Sequence, residues 1–297
     1  MDNNKRALVD RRGFLKLTGV GLSGLILQPS EQAFASTPGE DEVAILYDAS
    51  ECIGCRDCER ACKECNNLPT EPVPPSDLSA ITWNLIKQRK GVDQSDWPFF
   101  NDQCMHCTDA ACVMVCPTGA LYKDKKGFVA VDEDKCNGCG YCTQFCPFSV
   151  PDLKDVNLIT GKAKVGKCIF CCQNQPQEGV GRVACVEACP TGALTLGWRE
   201  DQLEVARDRV AQLKADGHSK AMLYGESEAG GLHRLSILLD QPAAYGLPED
   251  PGGQFILARL WRKVIQPAGF AIFGVALAGV VTAYGLARRN IHMEEVE

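Results

Sequence analysis

Cysteine spacing constrains this chain more than any other feature. There are 18 cysteines in 297 residues, about 6%, well above ordinary usage. Sixteen fall into four groups: Cys52, Cys55, Cys58 and Cys62; Cys104, Cys107, Cys112 and Cys116; Cys136, Cys139, Cys142 and Cys146; Cys168, Cys171, Cys185 and Cys189. The first and third follow C-x2-C-x2-C-x3-C, the ferredoxin run in which three close thiolates bind one cubane and the fourth reaches the other cluster of a pair. The second and fourth keep the opening pair and the closing C-x3-C while the loop between them swells. The string Cys-Pro-Thr-Gly-Ala-Leu occurs at 116–121 and again at 189–194, so the sequence predicts repeated structure. Close spacing lets a loop wrap a cluster and aim backbone N–H groups at its sulfurs, with Gly54, Gly138 and Gly140 easing the approach.

Other uses of the thiols fit less well. Structural zinc takes two well-separated C-x2-C pairs, and a C-x2-C-x2-C run makes a regular disulfide framework awkward. Covalent haem needs C-x-x-C-H, whereas His106 lies inside the Cys104–Cys107 pair. Cys65 and Cys172 are read as non-ligands, the alternative being Cys172 in place of Cys171. The four groups already supply four thiolates each, so His106, His218, His233 and His292 are assigned hydrogen-bonding or surface roles.

The formal charge of −7 and pI near 5.3 argue against nucleic acid as a partner. At the N-terminus, Asp10-Arg11-Arg12-Gly13-Phe14-Leu15-Lys16, a short apolar run and Ala33-Phe34-Ala35 read as a twin-arginine export signal, cut after Ala35. A Gly19-x-Gly21-x-x-Gly24 match within it has no preceding strand and is accidental. Pro267 to Ala287 gives 21 uncharged residues, enough at about 1.5 Å per residue to cross a hydrocarbon core of about 30 Å. Arg288 and Arg289 follow, which predicts a cytoplasmic C-terminus. Leu203, Ala206, Val210 and Leu213 fall at helical spacing before Gly217 and predict a packed amphipathic helix. Lys63 to Asn101 reads as an inserted connection, and Gly127 to Asp132 as a short alternating strand.

Gln103-Cys104-Met105-His106-Cys107, Cys139-Gly140-Tyr141-Cys142, Lys167-Cys168 and Ala184-Cys185-Val186-Glu187-Ala188-Cys189-Pro190-Thr191-Gly192-Ala193 resemble the four-cluster iron–sulfur subunits of respiratory oxidoreductases. Arg209 to Gly217 and Tyr245 to Pro251 are similar to the beta subunit of membrane-bound formate dehydrogenase; the electron-transfer subunit of nickel–iron uptake hydrogenase is similar too. The resemblance implies an α+β fold of two nested bacterial-ferredoxin-like domains plus one C-terminal transmembrane helix. Its expected divisions are 1–35 signal, 36–198 cluster domains, 199–263 extension, 264–288 membrane helix and 289–297 tail. It implies four [4Fe-4S] clusters on Cys52, Cys55, Cys58 with Cys189; Cys62 with Cys168, Cys171, Cys185; Cys104, Cys107, Cys112 with Cys146; and Cys116 with Cys136, Cys139, Cys142. It further implies no catalytic residues in this chain, a molybdopterin or nickel–iron catalytic partner, and a membrane cytochrome b or quinone-reducing partner. The cluster body is then expected in the periplasm. The rival class is a zinc-binding structural tether in contact with membrane lipid.

Overall fold

The computed structural model describes residues 41–71, 73–89, 99–157, 162–171 and 179–290. The expected export signal, the last seven residues and Cys172 lie outside the described residues.

Strand β1 (Val43–Asp48) has all six residues buried, because both faces of its sheet are covered. Ala44 and Leu46 point to one side, where Leu203, Ala206 and Leu213 of helix α5 (Arg199–Ala215) close a small core. Val43, Ile45 and Tyr47 point to the other, into the main core with Phe100, Met105 and Phe170. This alternation is the period-two geometry of a strand. The helix is the expected one, with Val210 packed at the margin and Gly217 beyond its end at φ +103°. In the sheet, β1 lies between β8 (Leu194–Trp198), antiparallel, and β10 (Arg234–Leu238), parallel, with β9 (Met222–Tyr224) outside β10.

The β1–β8 pairing positions the cysteines. Cys52 follows β1 and Cys189 precedes β8, so the first and fourth groups meet at one sheet end. Helix α1 (Asp57–Cys65) accordingly packs on α4 (Ala184–Glu187), and α2 (Ala111–Met114) on α3 (Tyr141–Phe145). Between the second and third groups, β4 (Leu121–Lys123) pairs with β5 (Val129–Val131). The strand expected within 127–132 forms at Val129–Val131, but without alternation between core and surface, since Phe128, Val129 and Ala130 are all buried. The stretch expected as a plain connection contains β2 (Asn84–Gln88), paired with β3 (Phe99–Gln103), Ile86 opposite Asn101. A further pair joins β6 (Asp152–Asn157) to β7 (Lys162–Gly166). Helix α6 (Gly252–Leu260) packs on α2 and α3, and Trp261 meets the rings of Tyr141 and Phe145.

Residues from Lys263 onward belong to a separate compact unit. Its helix α7 (Gln266–Asn290) continues directly from a π-helical stretch at Trp261–Ile265, so Pro267, expected at a helix start, falls inside a longer helical run. Phe270, Ile272, Phe273 and Val280 on it are exposed. One helical run, Gly252–Arg288, reaches a mean hydropathy of 2.0 over 18 residues and is long and apolar enough to cross a membrane.

Candidate metal centre

Each cysteine group opens with C-x-x-C, and in all four the second intervening residue is left-handed: Gly54 at φ +70°, His106 at +46°, Gly138 at +71° and Phe170 at +61°. An L-residue adopts this conformation at a cost of about 1–2 kcal/mol, so its recurrence at non-glycine positions marks a turn that packing imposes. The rings of His106 and Phe170 stand 5.0 Å apart, and Phe170 stacks on Phe128 at the same distance. Gly138 is held more tightly still: a Cβ there would lie 2.6 Å from the Ala163 carbonyl oxygen. The repeated Cys-Pro-Thr string also repeats in space. Cys116 Sγ lies 3.7 Å from Thr118 Oγ1, and Cys189 Sγ 3.8 Å from Thr191 Oγ1.

Thiols from different cysteine groups lie beside one another. Cys52, Cys55, Cys58 and Cys189 line one small cavity with Tyr47 and Thr191. Burial pushes the Cys62 thiol well up, and Cys168, Cys185, Cys171 and also Cys65, expected as a non-ligand, add to the shift. Cys107 is raised by burial and then by Cys146, Cys104 and Cys112. Cys142 is pushed up to about 12 by burial, with Cys139, Cys116 and Cys136 contributing. Thiolates in such surroundings need positive charge beside them, which metal coordination supplies.

The surroundings favour an anionic, sulfur-rich guest. Buried donors without a protein partner include Asn84 Nδ2, Gln103 Nε2, and Nε and Nη1 of Arg234. Lysines cap cysteine carbonyls: Lys123 on Cys107 at 3.1 Å, Lys164 on Cys136 at 2.7 Å and Lys167 on Cys168 at 2.6 Å. Arg262 Nη1 donates to the Met114 and Cys116 carbonyls. Net charge and hydrogen bonds to sulfur are the levers that set an iron–sulfur potential, and both are present.

The sequence of residues 95–199 matches the model of the 4Fe-4S dicluster domain, a stretch that holds the second, third and fourth cysteine groups. The chain is 38% identical to the iron–sulfur subunit of the nitrate-inducible formate dehydrogenase of Escherichia coli K12, over 82% of this chain and 84% of that protein. The chain belongs to the family of formate dehydrogenase iron–sulfur subunits. Another relative is the formate dehydrogenase-O iron–sulfur subunit of the same organism, at 34% over 88% of this chain and 87% of that one. The hydrogenase-2 operon protein HybA of E. coli O157:H7 is 31% identical over 95% of this chain and 96% of its own. Family members carry [4Fe-4S] clusters, and the donor sets here fit that cofactor.

Within this iron–sulfur subunit, spacing alone leaves several residues unmarked. Val129 N–H donates to His106 Nδ1 at 3.0 Å, so the ring proton sits on Nε2, which faces Cys168 Sγ at 3.4 Å. His106 is therefore a donor to sulfur, beyond the unspecified hydrogen-bonding role read from sequence. His233 is wholly buried, with Nδ1 2.8 Å from the His106 carbonyl and Nε2 2.8 Å from Glu42. Both ring nitrogens face oxygens, so His233 and Glu42 share a proton between them. Asn101 Nδ2 points at Cys58 Sγ at 3.5 Å and Asn66 Nδ2 at Cys62 Sγ at 3.7 Å. Three-dimensional proximity is the signal for His106, Asn101 and Arg234, which lie far in sequence from the thiols they serve.

Proposed function

We propose that this chain is the electron-relay subunit of a membrane-bound oxidoreductase of formate dehydrogenase type, with four [4Fe-4S] clusters on the sixteen cysteines grouped as above. The observation that carries the proposal is the cavity that Cys52, Cys55 and Cys58 of the first group line together with Cys189 of the fourth; the electrostatic influence of neighbouring thiols on Cys62, Cys107 and Cys142 supports the remaining sets. The packing of α1 on α4 and of α2 on α3 supports two nested ferredoxin-like units, one formed by the outer groups and one by the inner. Each bound cluster supplies a one-electron redox site. The chain's own residues wrap these sites in left-handed turns, place lysines on the cysteine carbonyls and aim side-chain donors at sulfur. Among the described residues no nucleophile–base pair or acid pair stands apart from the thiols, which supports chemistry on a separate catalytic subunit.

In this reading residues 1–35 are an export signal, 36–198 the cluster body, 199–263 a packing extension, 264–288 a membrane anchor and 289–297 a cytoplasmic tail. The cluster body would then be periplasmic, between a molybdopterin subunit and a membrane cytochrome b or quinone-reducing subunit. A nickel–iron catalytic partner is the second reading, favoured by the near-complete coverage of HybA. Anaerobic iron and acid-labile sulfide analysis tests the relay: about sixteen of each per chain supports four cubanes, whereas zinc without sulfide ends it. Molybdenum or nickel in the co-purified complex then separates the two partners.

A further inference from the structure

Arg234 is 1% exposed and the bulkiest of the fully buried side chains. A guanidinium withdrawn from water costs several kcal/mol unless an anion faces it. Among the described residues no carboxylate does so. Its Nη2 donates to the Asn101 carbonyl at 3.2 Å and to Asn101 Oδ1 at 2.7 Å, while Nε and Nη1 have no protein partner. The guanidinium carbon stands 5.0 Å from the Tyr47 ring centroid, a face that attracts cations but carries no net charge.

Both contacts of the guanidinium lead to thiols. Tyr47 lines the cavity of Cys52, Cys55, Cys58 and Cys189. The Asn101 amide that holds Arg234 through its oxygen reaches Cys58 Sγ through its nitrogen, at 3.5 Å. A set of thiols thus lies next to a buried cation that lacks an acid, and its two orphaned nitrogens need acceptors.

We propose that Arg234 is a positioning residue for electron transfer: its guanidinium, tied through Asn101 to Cys58, is the counter-charge of the cluster on the Cys58 set and raises its reduction potential. Reduction adds one negative charge to a cluster, and a cation in a low-dielectric interior favours the more negative state. The proposal rests on the cluster reading above and goes beyond it by naming what sets one of the four potentials.

Anaerobic redox titration of the intact complex, followed by electron paramagnetic resonance, tests it with Arg234→Gln, Arg234→Lys and Asn101→Asp. In Arg234→Gln one cluster should titrate at more negative potential while the other three stay in place. Arg234→Lys, which keeps the charge, should restore most of the shift. Asn101→Asp keeps the shape, sets a carboxylate on the guanidinium and should lower the same potential. Unmoved potentials in Arg234→Gln at full iron and sulfide content overturn the proposal. If that variant does not assemble, unmoved potentials in Asn101→Asp overturn it. A wild-type protein lacking four clusters defeats the relay reading itself, a result told apart by the iron count before any variant is made.

Discussion

His106 belongs to the second cysteine group, yet its Nε2 stands 3.4 Å from the sulfur of Cys168 in the fourth. One side chain therefore joins the Cys104 set, through its own backbone, to the Cys168 set, through a hydrogen bond. Donation to a ligand sulfur withdraws charge and eases reduction. His106→Leu should lower the potential of the Cys62, Cys168, Cys171, Cys185 cluster. If the bond differs by about 1 kcal/mol between oxidation states, the shift is on the order of 40 mV. An unchanged redox titration of a fully loaded variant would remove His106 from any tuning role.

Cys142→Ala should cost one cluster and leave the others, taking iron from about sixteen to about twelve per chain. Cys65→Ser should keep all of it. Loss of iron in the Cys65 variant would redraw the set around Cys62, Cys168, Cys171 and Cys185.

Gly138→Ala combines a left-handed backbone, φ +71°, with a Cβ 2.6 Å from the Ala163 carbonyl. Destabilisation of roughly 1–3 kcal/mol is expected, read as a lower thermal midpoint and partial loss of the Cys116, Cys136, Cys139, Cys142 cluster. Gly140→Ala meets Leu153 only at an ordinary 3.6 Å; its cost should come from backbone conformation alone and be smaller.

Glu71 accepts from Thr82 Oγ1 at 2.6 Å and from Lys63 Nζ at 3.2 Å, tying the end of α1 to the segment before β2. The Thr82 hydroxyl and then Lys63 hold its carboxyl below the usual value. Because the folded value is depressed, its contribution is present above the unfolded value near 4.5 and disappears as pH falls through the folded one. Glu71→Gln should therefore unfold at lower denaturant than wild type at pH 7 and match it at strongly acidic pH. Parallel curves at every pH would show that the carboxylate contributes nothing.

Cysteine spacing exposed the repeat because a cubane needs several thiolates on one short loop, a demand local in sequence. The packed helix was legible for a similar reason: Leu203, Ala206 and Leu213 announce a buried face by their period. The β2–β3 hairpin was not, since half of its buried positions are polar: Asn84, Asn101 and Gln103 are each at most 3% exposed. Such residues read as loop until a partner like Cys58, which Asn101 faces, is placed beside them. Arg234 was hidden by distance, as it reaches Cys58 only through a strand from another part of the chain. The left-handed turns at His106 and Phe170 were equally silent, because neither residue type advertises a positive φ.

The central position of β1 bears on how the protein is made. A strand near the N-terminus has neighbours that emerge from the ribosome only when residues 194–198 and 234–238 have been synthesised. On the proposed grouping of the thiols, the inner pair of cysteine groups depends on short-range closures, while the outer pair waits for a high-contact-order step. Assembly is then expected to run from the middle of the sequence outward, and a chain truncated before the fourth cysteine group should carry only half its iron.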